Sequence, residues 1–435
     1  MMKVGVISLG CVKNRVDTEQ MLSLLQEAGY ELTNEPKEAD ILLVNTCGFI
    51  APAKEESIDA IFEMAGYKKT GKCKVLCVTG CLAQRYADSL LSEIPEIDCL
   101  LGVNQYEHIV ELVGEALNGQ RPRADQPSKK FLECGRVLTT PPYSAYVKIG
   151  DGCDNRCAYC AIPLIRGGYR SRPMEDILRE MRLLSEKGAR EQILIAQDTT
   201  RYGRDTGHSL KELMEKAAAI DGIDWLRVLY MYPDETDDAL LDMMAQKDNI
   251  VKYLDLPLQH ASDPLLKVMN RRGDNASAKR LLKKARSLGF CLRTTFIVGF
   301  PGETEDDFER LMDFTREIRF DRMGAFAYSP EEDTKAAGMD NQIPEEVKQE
   351  RLDRLMALQA EISLERNRQR VGQTEKVLIT GHDGMTYTGR SQFEAPDADG
   401  VISVLCDHEL KEGEFYPVRL TGADTYDLTG EVVEE

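Results

Sequence analysis

The stretch GCDNRCAYC, residues 152–160, places Cys153, Cys157 and Cys160 in the spacing C-x3-C-x2-C. A closed 4Fe–4S site takes four cysteine ligands, so three thiolates this close together leave one iron open to another ligand. An open coordination position is typical of a catalytic metal site rather than a structural one. The stretch therefore predicts an iron–sulfur cluster that takes part in chemistry.

Two other interpretations of these cysteines remain open on spacing alone. Zinc sites usually combine one C-x2-C pair with a second such pair or with histidines. The chain has no second C-x2-C pair, and none of its 5 histidines is nearby. Three buried cysteines that act as small apolar side chains are the other alternative. The polar loop 151–156 fits that alternative poorly.

Bulk composition limits the class of protein. The length of 435 residues predicts several domains, and an apolar content of 42% is sufficient for globular cores. No segment approaches the ~18 apolar residues of a membrane span. The N-terminus MMKVGVISLG lacks the features of a signal peptide. We therefore expect a cytoplasmic protein whose 12 cysteines stay reduced, with clustered cysteines acting as metal ligands.

Strands and helices alternate in the first part of the chain. Short apolar runs at 3–10, 41–48 and 74–81 are separated by helical stretches at 14–28 and 51–67. This alternation predicts a parallel sheet covered by helices. The polar segment that follows, NGQRPRADQPSKK, has the composition of a linker.

Six longer strand and helix units follow from residue 144 onwards, which predicts a partial (β/α)6 barrel with functional loops at the C-terminal ends of its strands. A long charged helix is predicted over 344–370. Five short strands after it predict a small antiparallel β-barrel. The predicted fold class is thus α/β with a small β-barrel added, and the predicted domains are 1–130, 139–370 and 371–435.

Three further cysteines, Cys11, Cys47 and Cys81, each stand beside a glycine at the end of a predicted strand. The C-terminal ends of parallel strands meet at one edge of a sheet, so these thiols are able to converge on a second cluster with one open iron. Three unrelated buried cysteines remain the alternative. The other six cysteines are interpreted as packing residues. Cys77 is the one most easily mistaken for a ligand, because it shares a strand with Cys81.

Several strings match the pattern of a known family. They are SLGCVKNRVDTEQML (8–22), NTCGFI (45–50), TGCLAQRY (79–86), DGCDNRCAYCAIPLIRGGYRSR (151–172) and VGFPGETEDDF (298–308). With them the chain resembles the radical S-adenosylmethionine (SAM) methylthiotransferases, and its C-terminal barrel resembles the TRAM domain. The resemblance covers essentially the whole chain.

The resemblance implies two 4Fe–4S clusters with SAM as a further cofactor. One cluster, on the catalytic Cys153, Cys157 and Cys160, would bind SAM and generate a radical with an electron from an external donor. The other, on the second set of cysteines, would hold the sulfur that becomes the methylthio group. Further contacts to SAM are expected from Tyr159, Gln197, Asp198, Gly299 and Gly302, although each also suits an ordinary loop or helix cap. Arg166, Arg170 and Arg172 face either an anion or solvent.

The family has two branches, which modify either an adenosine in transfer RNA or the β-carbon of an aspartate in the twelfth protein of the small ribosomal subunit. Residues 371–435 contain four Lys and Arg against fourteen Asp and Glu, a net charge of −10 out of −19 for the chain. Such a segment suits a basic ribosomal protein better than a phosphate backbone, which disfavours transfer RNA. The strings IAQDTTRYG and GRSQFEAPDADG also resemble the protein-modifying branch.

Two alternatives to this function stay open. One is a methylthiotransferase for an N6-modified adenosine in transfer RNA, and the other is a non-catalytic iron–sulfur carrier, which would leave the barrel loops and VGFPGE unexplained. No membrane partner is expected. Glu394, Asp397 and Asp399 of the acidic segment are expected to be exposed and available to a basic partner.

Overall fold

The computed structural model describes residues 1–126, 128 and 130–433. The first domain contains the strands β1 (Lys3–Ser8), β2 (Glu31–Leu32), β3 (Ile41–Thr46), β4 (Val75–Gly80), β5 (Cys99–Leu101) and β6 (Arg123–Ala124). Its helices are α1 (Val12–Glu27), α2 (Ala51–Thr70), α3 (Cys81–Arg85), α4 (Ala87–Glu93) and α5 (Ile109–Leu117). The strands form one parallel sheet in the order β2-β1-β3-β4-β5-β6, so the predicted parallel sheet is confirmed.

Helices cover both faces of this sheet. The α2, α3 and α4 helices pack on one face and α1 with α5 on the other, so β3 and β4 are buried along their whole length. The segment predicted to be a linker, 118–130, contains β6, whose backbone extends the sheet edge beside β5. The remainder of that prediction includes Pro127 and Lys129, which lie outside the described residues.

The second domain has the strands β7 (Ser144–Lys148), β8 (Gly150–Asp151), β9 (Arg170–Ser171), β10 (Glu191–Ile195), β11 (Trp225–Val228), β12 (Tyr253–Asp255), β13 (Cys291–Val298) and β14 (Arg322–Ala327). Its helices are α6 (Ile162–Arg166), α7 (Met174–Glu186), α8 (Leu210–Ala217), α9 (Asp238–Gln246), α10 (Asp263–Val268), α11 (Asn275–Ser287) and α12 (Glu305–Ile318). A long helix, α13 (Glu345–Arg368), follows.

Six parallel strands form the predicted partial barrel. They lie in two three-stranded sheets, β7-β10-β11 and β12-β13-β14, which a bridge between Leu226 and Ile250 connects. The β12 strand ends at Asp255, although the apolar run YLDLPLQ (253–259) predicts a strand that continues to Gln259. The early end has a local cause, because Pro257 has no N–H to donate to a neighbouring strand. Among the described residues, no helix is both long and apolar enough to cross a membrane.

The third domain is a closed barrel of β15 (Thr374–His382), β16 (Tyr387–Arg390), β17 (Ile402–Leu405), β18 (Phe415–Ala423) and β19 (Leu428–Val432). Four of its pairings are antiparallel as predicted, but β17 and β19 run parallel. A closed ring with an odd number of strands cannot alternate in direction throughout, so one parallel pair is unavoidable.

Buried ion pairs fix the third domain to the second. Glu394, in the loop between β16 and β17, is 1% exposed and accepts hydrogen bonds from Arg322 (2.8 Å) and Arg370 (2.5 Å). In the same loop, Asp399 is buried and accepts a hydrogen bond from the Tyr253 hydroxyl at 2.6 Å. A further pair joins the domains where Arg390 of β16 donates to Glu191 of β10 at 2.7 Å.

The expectation that Glu394, Asp397 and Asp399 are all exposed is therefore wrong. Only Asp397, whose side chain is 54% exposed, faces solvent. The composition of the loop suggested a solvated segment, but the buried arginines of the neighbouring domain draw two of its three carboxylates inwards.

Replacing Glu394 should destabilise the protein in a pH-dependent manner. Burial disfavours the charged form, but Arg370 and Arg322 outweigh it and lower the pKa of Glu394 to about 2. A lowered carboxyl pKa contributes stability above the ordinary value of ~4.3, and this contribution is lost as the pH falls towards the lowered value. At pH 7, Glu394→Gln should reduce the free energy of unfolding by about 3 kcal/mol, because the buried Arg322 loses its carboxylate partner and Arg370 keeps only Glu375.

Urea unfolding of wild type and variant checks this expectation, and the difference between them should shrink as the pH falls from ~4.3 towards 2. Glu409→Gln is the matched control, because Glu409 is exposed in the same domain and its replacement should change stability by less than ~0.5 kcal/mol. Equal effects of the two substitutions would contradict the proposed docking role.

Candidate functional site

The structure brings Cys11, Cys47 and Cys81 to one edge of the first sheet. Cys11 directly precedes α1, Cys47 follows β3, and Cys81 begins α3 immediately after β4. Gly10 has a φ of +83°, and a Cβ at this position would lie 2.9 Å from the Cβ of Cys47. A side chain at position 10 would therefore crowd the thiol, which explains the glycine beside the cysteine. Burial raises the pKa of Cys81 to about 12.

Cys77 points away from this edge. It is fully buried, and its thiol packs against Cys99 in the core beneath α1 and α5. Residues four apart in a continuous strand would face the same side, but β4 ends at Gly80 and Cys81 begins α3, so the two thiols lie in different surroundings.

The cysteines of the C-x3-C-x2-C stretch, Cys153, Cys157 and Cys160, lie in the loop between β8 and α6. Gly152 has a φ of +76°, and a Cβ there would lie 2.2 Å from the carbonyl oxygen of Gly168, so only glycine fits. The loop is held from the other side as well, since the Ala158 N–H donates to the Met269 carbonyl at 2.8 Å. The fold thus holds the backbone that carries the three thiols from both sides.

Two side chains that the sequence analysis missed contact Cys157. The Tyr232 hydroxyl lies 3.3 Å from the Cys157 sulfur, and Nη1 of Arg271 lies 3.7 Å from it. The guanidinium of Arg271 also stacks on the Tyr232 ring at 3.6 Å from the centroid. One signal was present, because Tyr232 follows the end of β11, where such barrels place functional residues. Nothing in the sequence indicated Arg271.

The residues expected to contact SAM have different surroundings. The ring of Tyr159 packs edge to face on Phe300, with centroids 6.4 Å apart. Oε1 of Gln197 is buried and, within the described part of the chain, has no hydrogen-bond partner, so it is free to bind a ligand. Asp198 is fully buried and already accepts hydrogen bonds from Asn155 at 2.7 Å and Thr200 at 2.5 Å. Asp198 therefore braces the cysteine loop.

The two glycines of VGFPGE also differ. The N–H of Gly299 donates to the Glu303 carboxylate at 2.8 Å, and a Cβ there would clash with Lys348. Gly302 has a φ of +85° with open space around it. Gly299 is thus required by packing, whereas Gly302 leaves room for a ligand. The roles of all five residues towards SAM stay predictions.

A buried arginine joins the two groups of cysteines. Nη2 of Arg166 donates to Asn14 at 2.8 Å and to Asp17 at 2.9 Å, and it lies 3.8 Å from the sulfur of Cys81. Its Nη1 donates to Asp151, two residues before Cys153, at 3.2 Å. Arg166 therefore contacts the wall of one cysteine group and the loop of the other.

The neighbouring arginines are paired in a similar way. Arg170 donates to Asp151 at 3.2 Å, and Arg172 donates to Glu133 at 2.6 Å. Of the two interpretations of Arg166, Arg170 and Arg172, solvation is excluded, and the anions they face are carboxylates of this chain.

A cavity of about 380 Å³ reaches Cys11. All three domains line it, through Cys11 and Arg15 of the first, residues such as Tyr230, Asp255 and Arg293 of the second, and the loop 395–398 of the third. Beside it, burial lowers the pKa of Lys13 to about 8.

The spacing of the thiols tests which metal group fits. Among the described residues, three Cys, His, Asp or Glu ligand atoms within 4.8 Å of one another occur only at Cys406, Asp407 and His408, on the surface of the small barrel. Four thiolates around one zinc ion lie about 3.8 Å apart, given Zn–S bonds of ~2.3 Å. The wider spacing of both cysteine groups fits a cluster of several irons better than a single ion.

Comparison with known proteins agrees with this geometry. Profiles of the Radical SAM superfamily, the uncharacterized protein family UPF0004 and the TRAM domain match residues 147–315, 3–102 and 371–433. The chain is 50% identical, over 100% of both chains, to ribosomal protein uS12 methylthiotransferase RimO of Desulforamulus reducens. It is 51% identical, over 99% of both chains, to the protein of that name from Pelotomaculum thermopropionicum.

The chain belongs to the RimO family. Among solved structures, it is similar to the radical SAM methyltransferase TsrM of Kitasatospora setae with cobalamin and a 4Fe–4S cluster bound, with a TM-score of 0.57 and 16% identity over 76% of each chain. At this identity the similarity shows the fold alone. Membership in the RimO family implies a radical SAM enzyme that uses a 4Fe–4S cluster and SAM.

Single cysteine replacements should test whether Cys11, Cys47 and Cys81 are the ligands of a second cluster. After anaerobic reconstitution, two clusters predict about eight irons per chain. Cys81→Ala should leave about four, because the thiols at the sheet edge no longer surround the cluster. Cys77→Ala is the matched control in the same segment and should leave eight. Iron analysis and cluster absorbance measure both, and loss of iron only from the Cys77 variant would show that the assignment is wrong.

Proposed function

We propose that this chain is a radical SAM methylthiotransferase that attaches a methylthio group to the β-carbon of an aspartate in ribosomal protein uS12. The observation that carries the proposal is the pairing of two three-cysteine groups through Arg166, with a cavity that opens onto Cys11. An iron–sulfur carrier would need neither a cavity of this kind nor two groups held in fixed relation. Full-length relatives named for the reaction support the substrate.

Two 4Fe–4S clusters and SAM are the proposed cofactors. Cys153, Cys157 and Cys160 would hold the cluster that binds SAM, and Cys11, Cys47 and Cys81 the second cluster. When bound, the two clusters and SAM would together supply the radical chemistry that activates a C–H bond, and the sulfur and methyl group that are transferred. An external electron donor is part of the proposal.

The chain's own residues prepare the site in three ways. Tyr232 and Arg271 hold the sulfur of Cys157 in place, because the hydroxyl lies 3.3 Å and the guanidinium 3.7 Å from it. The ion pairs of Arg166 exclude water from the space between the two cysteine groups, since both partners are buried. The cavity walls orient the substrate, which reduces the entropic part of the barrier.

The acidic third domain favours a protein substrate. Its net charge of −10 would repel the phosphates of transfer RNA and attract a basic protein. We assign residues 1–130 to the second cluster, 139–370 to SAM and its cluster, and 371–435 to docking and capture of the substrate. The transfer-RNA alternative is not favoured.

Anaerobic turnover of the reconstituted protein tests the function. Purified uS12 should gain the mass of one methylthio group in place of one hydrogen, and peptide fragmentation should place it on an aspartate. Transfer RNA under the same conditions should remain unchanged. The variant with Cys153, Cys157 and Cys160 all replaced by Ala is the inactive control. Modification of transfer RNA with uS12 unaltered would overturn the proposal.

Reversing the exposed charge of the third domain should weaken substrate binding. Asp407, Glu409 and Glu431 are exposed, and Glu431 pairs with Leu405 of the neighbouring strand, so they lie on one part of the barrel surface. Changing all three to Lys should reduce the affinity for uS12 by at least about fivefold at low salt, and less at high salt, because salt screens exposed charges beyond ~8 Å. SAM cleavage without substrate should stay unchanged.

A matched triple variant controls for net charge. Asp306, Asp313 and Glu350 are equally exposed but lie on α12 and α13. Their reversal to Lys changes the net charge by the same amount and should alter the affinity for uS12 by less than about twofold, because the charges lie away from the barrel. Salt-independent binding, or equal loss in both variants, would remove the barrel from substrate capture.

A further inference from the structure

The buried lysine beside Cys11 has no counter-ion. Lys13 lies in the first turn of α1 and is only 6% exposed. Its ammonium nitrogen lies 3.0 Å from the centroid of the Tyr230 ring, and across the described residues no carboxylate lies within ion-pair distance of it. Removing an ammonium from water without an anionic partner is costly, and contact with an aromatic ring offsets only part of that cost.

Other buried lysines of the chain are paired. Lys148 contacts Asp17, and Lys348 lies near the ring of Tyr328 but also donates to Glu345 at 3.0 Å. The two arginines that line the cavity also have carboxylate partners. Arg293 donates to Asp255 at 2.8 Å, and Arg15 donates to Asp397 at 3.0 Å. Lys13 is thus the cation near the cavity that still lacks an anion.

The tyrosine that carries this ammonium is held in a strained conformation. Tyr230 has a φ of +60°, which is rare for a bulky residue and marks a position that its surroundings enforce. Its N–H donates to Asp255 at 2.8 Å, and its carbonyl accepts from the N–H of Thr199 at 3.1 Å. The ring also forms part of the cavity wall. The fold therefore fixes a resting place for the Lys13 ammonium on a ring that also lines the cavity.

We propose that Lys13 binds the carboxylate of the substrate aspartate. The inference rests on the proposed function, in which the reacting carbon is the one bonded to that carboxylate. Binding of this carboxylate by Lys13 would fix the neighbouring C–H bond near Cys11, which directly precedes the same helix. Four rotatable bonds let the ammonium leave the Tyr230 ring for a stronger, charged partner. Lys13 is a substrate-binding residue in this proposal and takes no part in bond breaking.

The test compares two substrates on two forms of the full-length reconstituted protein. Wild type should bind uS12 at least about tenfold more tightly than uS12 whose target aspartate is replaced by asparagine, the difference expected for a charge-assisted hydrogen bond. Lys13→Met keeps the length of the side chain but removes the charge, so it should bind both substrates equally. Lys13→Arg should retain part of the preference. Iron content and SAM cleavage without substrate should be unchanged in both variants.

Lys348→Met is the matched control, because it removes another buried lysine near a tyrosine ring and should keep the tenfold preference. The proposal is overturned if Lys13→Met keeps the preference. It is also overturned if Lys13→Met loses about four irons and weakens the binding of both substrates equally. That result would show that the charge of Lys13 stabilises the cluster on Cys11, Cys47 and Cys81 instead of binding the substrate. If wild type leaves uS12 unmodified, the proposed function itself fails, and the carboxylate assignment fails with it.

Discussion

The buried guanidinium of Arg166 is the interaction on which the arrangement of the site depends. It is 3% exposed and contacts Asp17 and Asn14 of one domain and Asp151 of the next. A buried cation tolerates little displacement, because separation from its carboxylates leaves charges unpaired in a medium of low polarity. The two groups of cysteines are therefore held at a fixed separation. The proposed reaction uses both cysteine groups, and a fixed separation between them reduces the entropic part of its barrier.

The same principle holds the small barrel in place. Glu394, Asp399 and Glu191 bind arginines or a tyrosine across the boundary between the second and third domains, and the loop that contains Glu394 and Asp399 reaches the cavity. The barrel thus carries two sets of carboxylates. The buried ones hold its loop against the second domain, while the exposed ones form a separate acidic surface. Net charge alone does not distinguish these two sets.

Much of the fold followed from local pattern. Alternating strands and helices predicted a parallel sheet and a six-stranded partial barrel, and five short strands predicted the small barrel. Errors arose where distant contacts outweighed composition. The polar segment before residue 130 adds a strand to the first sheet, and two carboxylates of an acidic loop are buried. Cys81 was predicted as a ligand and Cys77 as a packing residue of the same strand, and the end of β4 does place them in different surroundings.

The sequence by itself predicted a metal group with an open position, because the number and spacing of cysteines in a loop limit which metal group they are able to hold. The resemblance to a known family, and not the spacing, indicated the kind of chemistry. The sequence also determined the glycines that the tight backbone beside the thiols requires. Only the tertiary structure decided which charges meet. Arg166 and Asn14 are 152 residues apart, and Arg271 and Cys157 are 114 apart. Whether a charged residue is solvated, paired or, like Lys13 among the described residues, left without an ion-pair partner depends on packing between elements that no local pattern encodes.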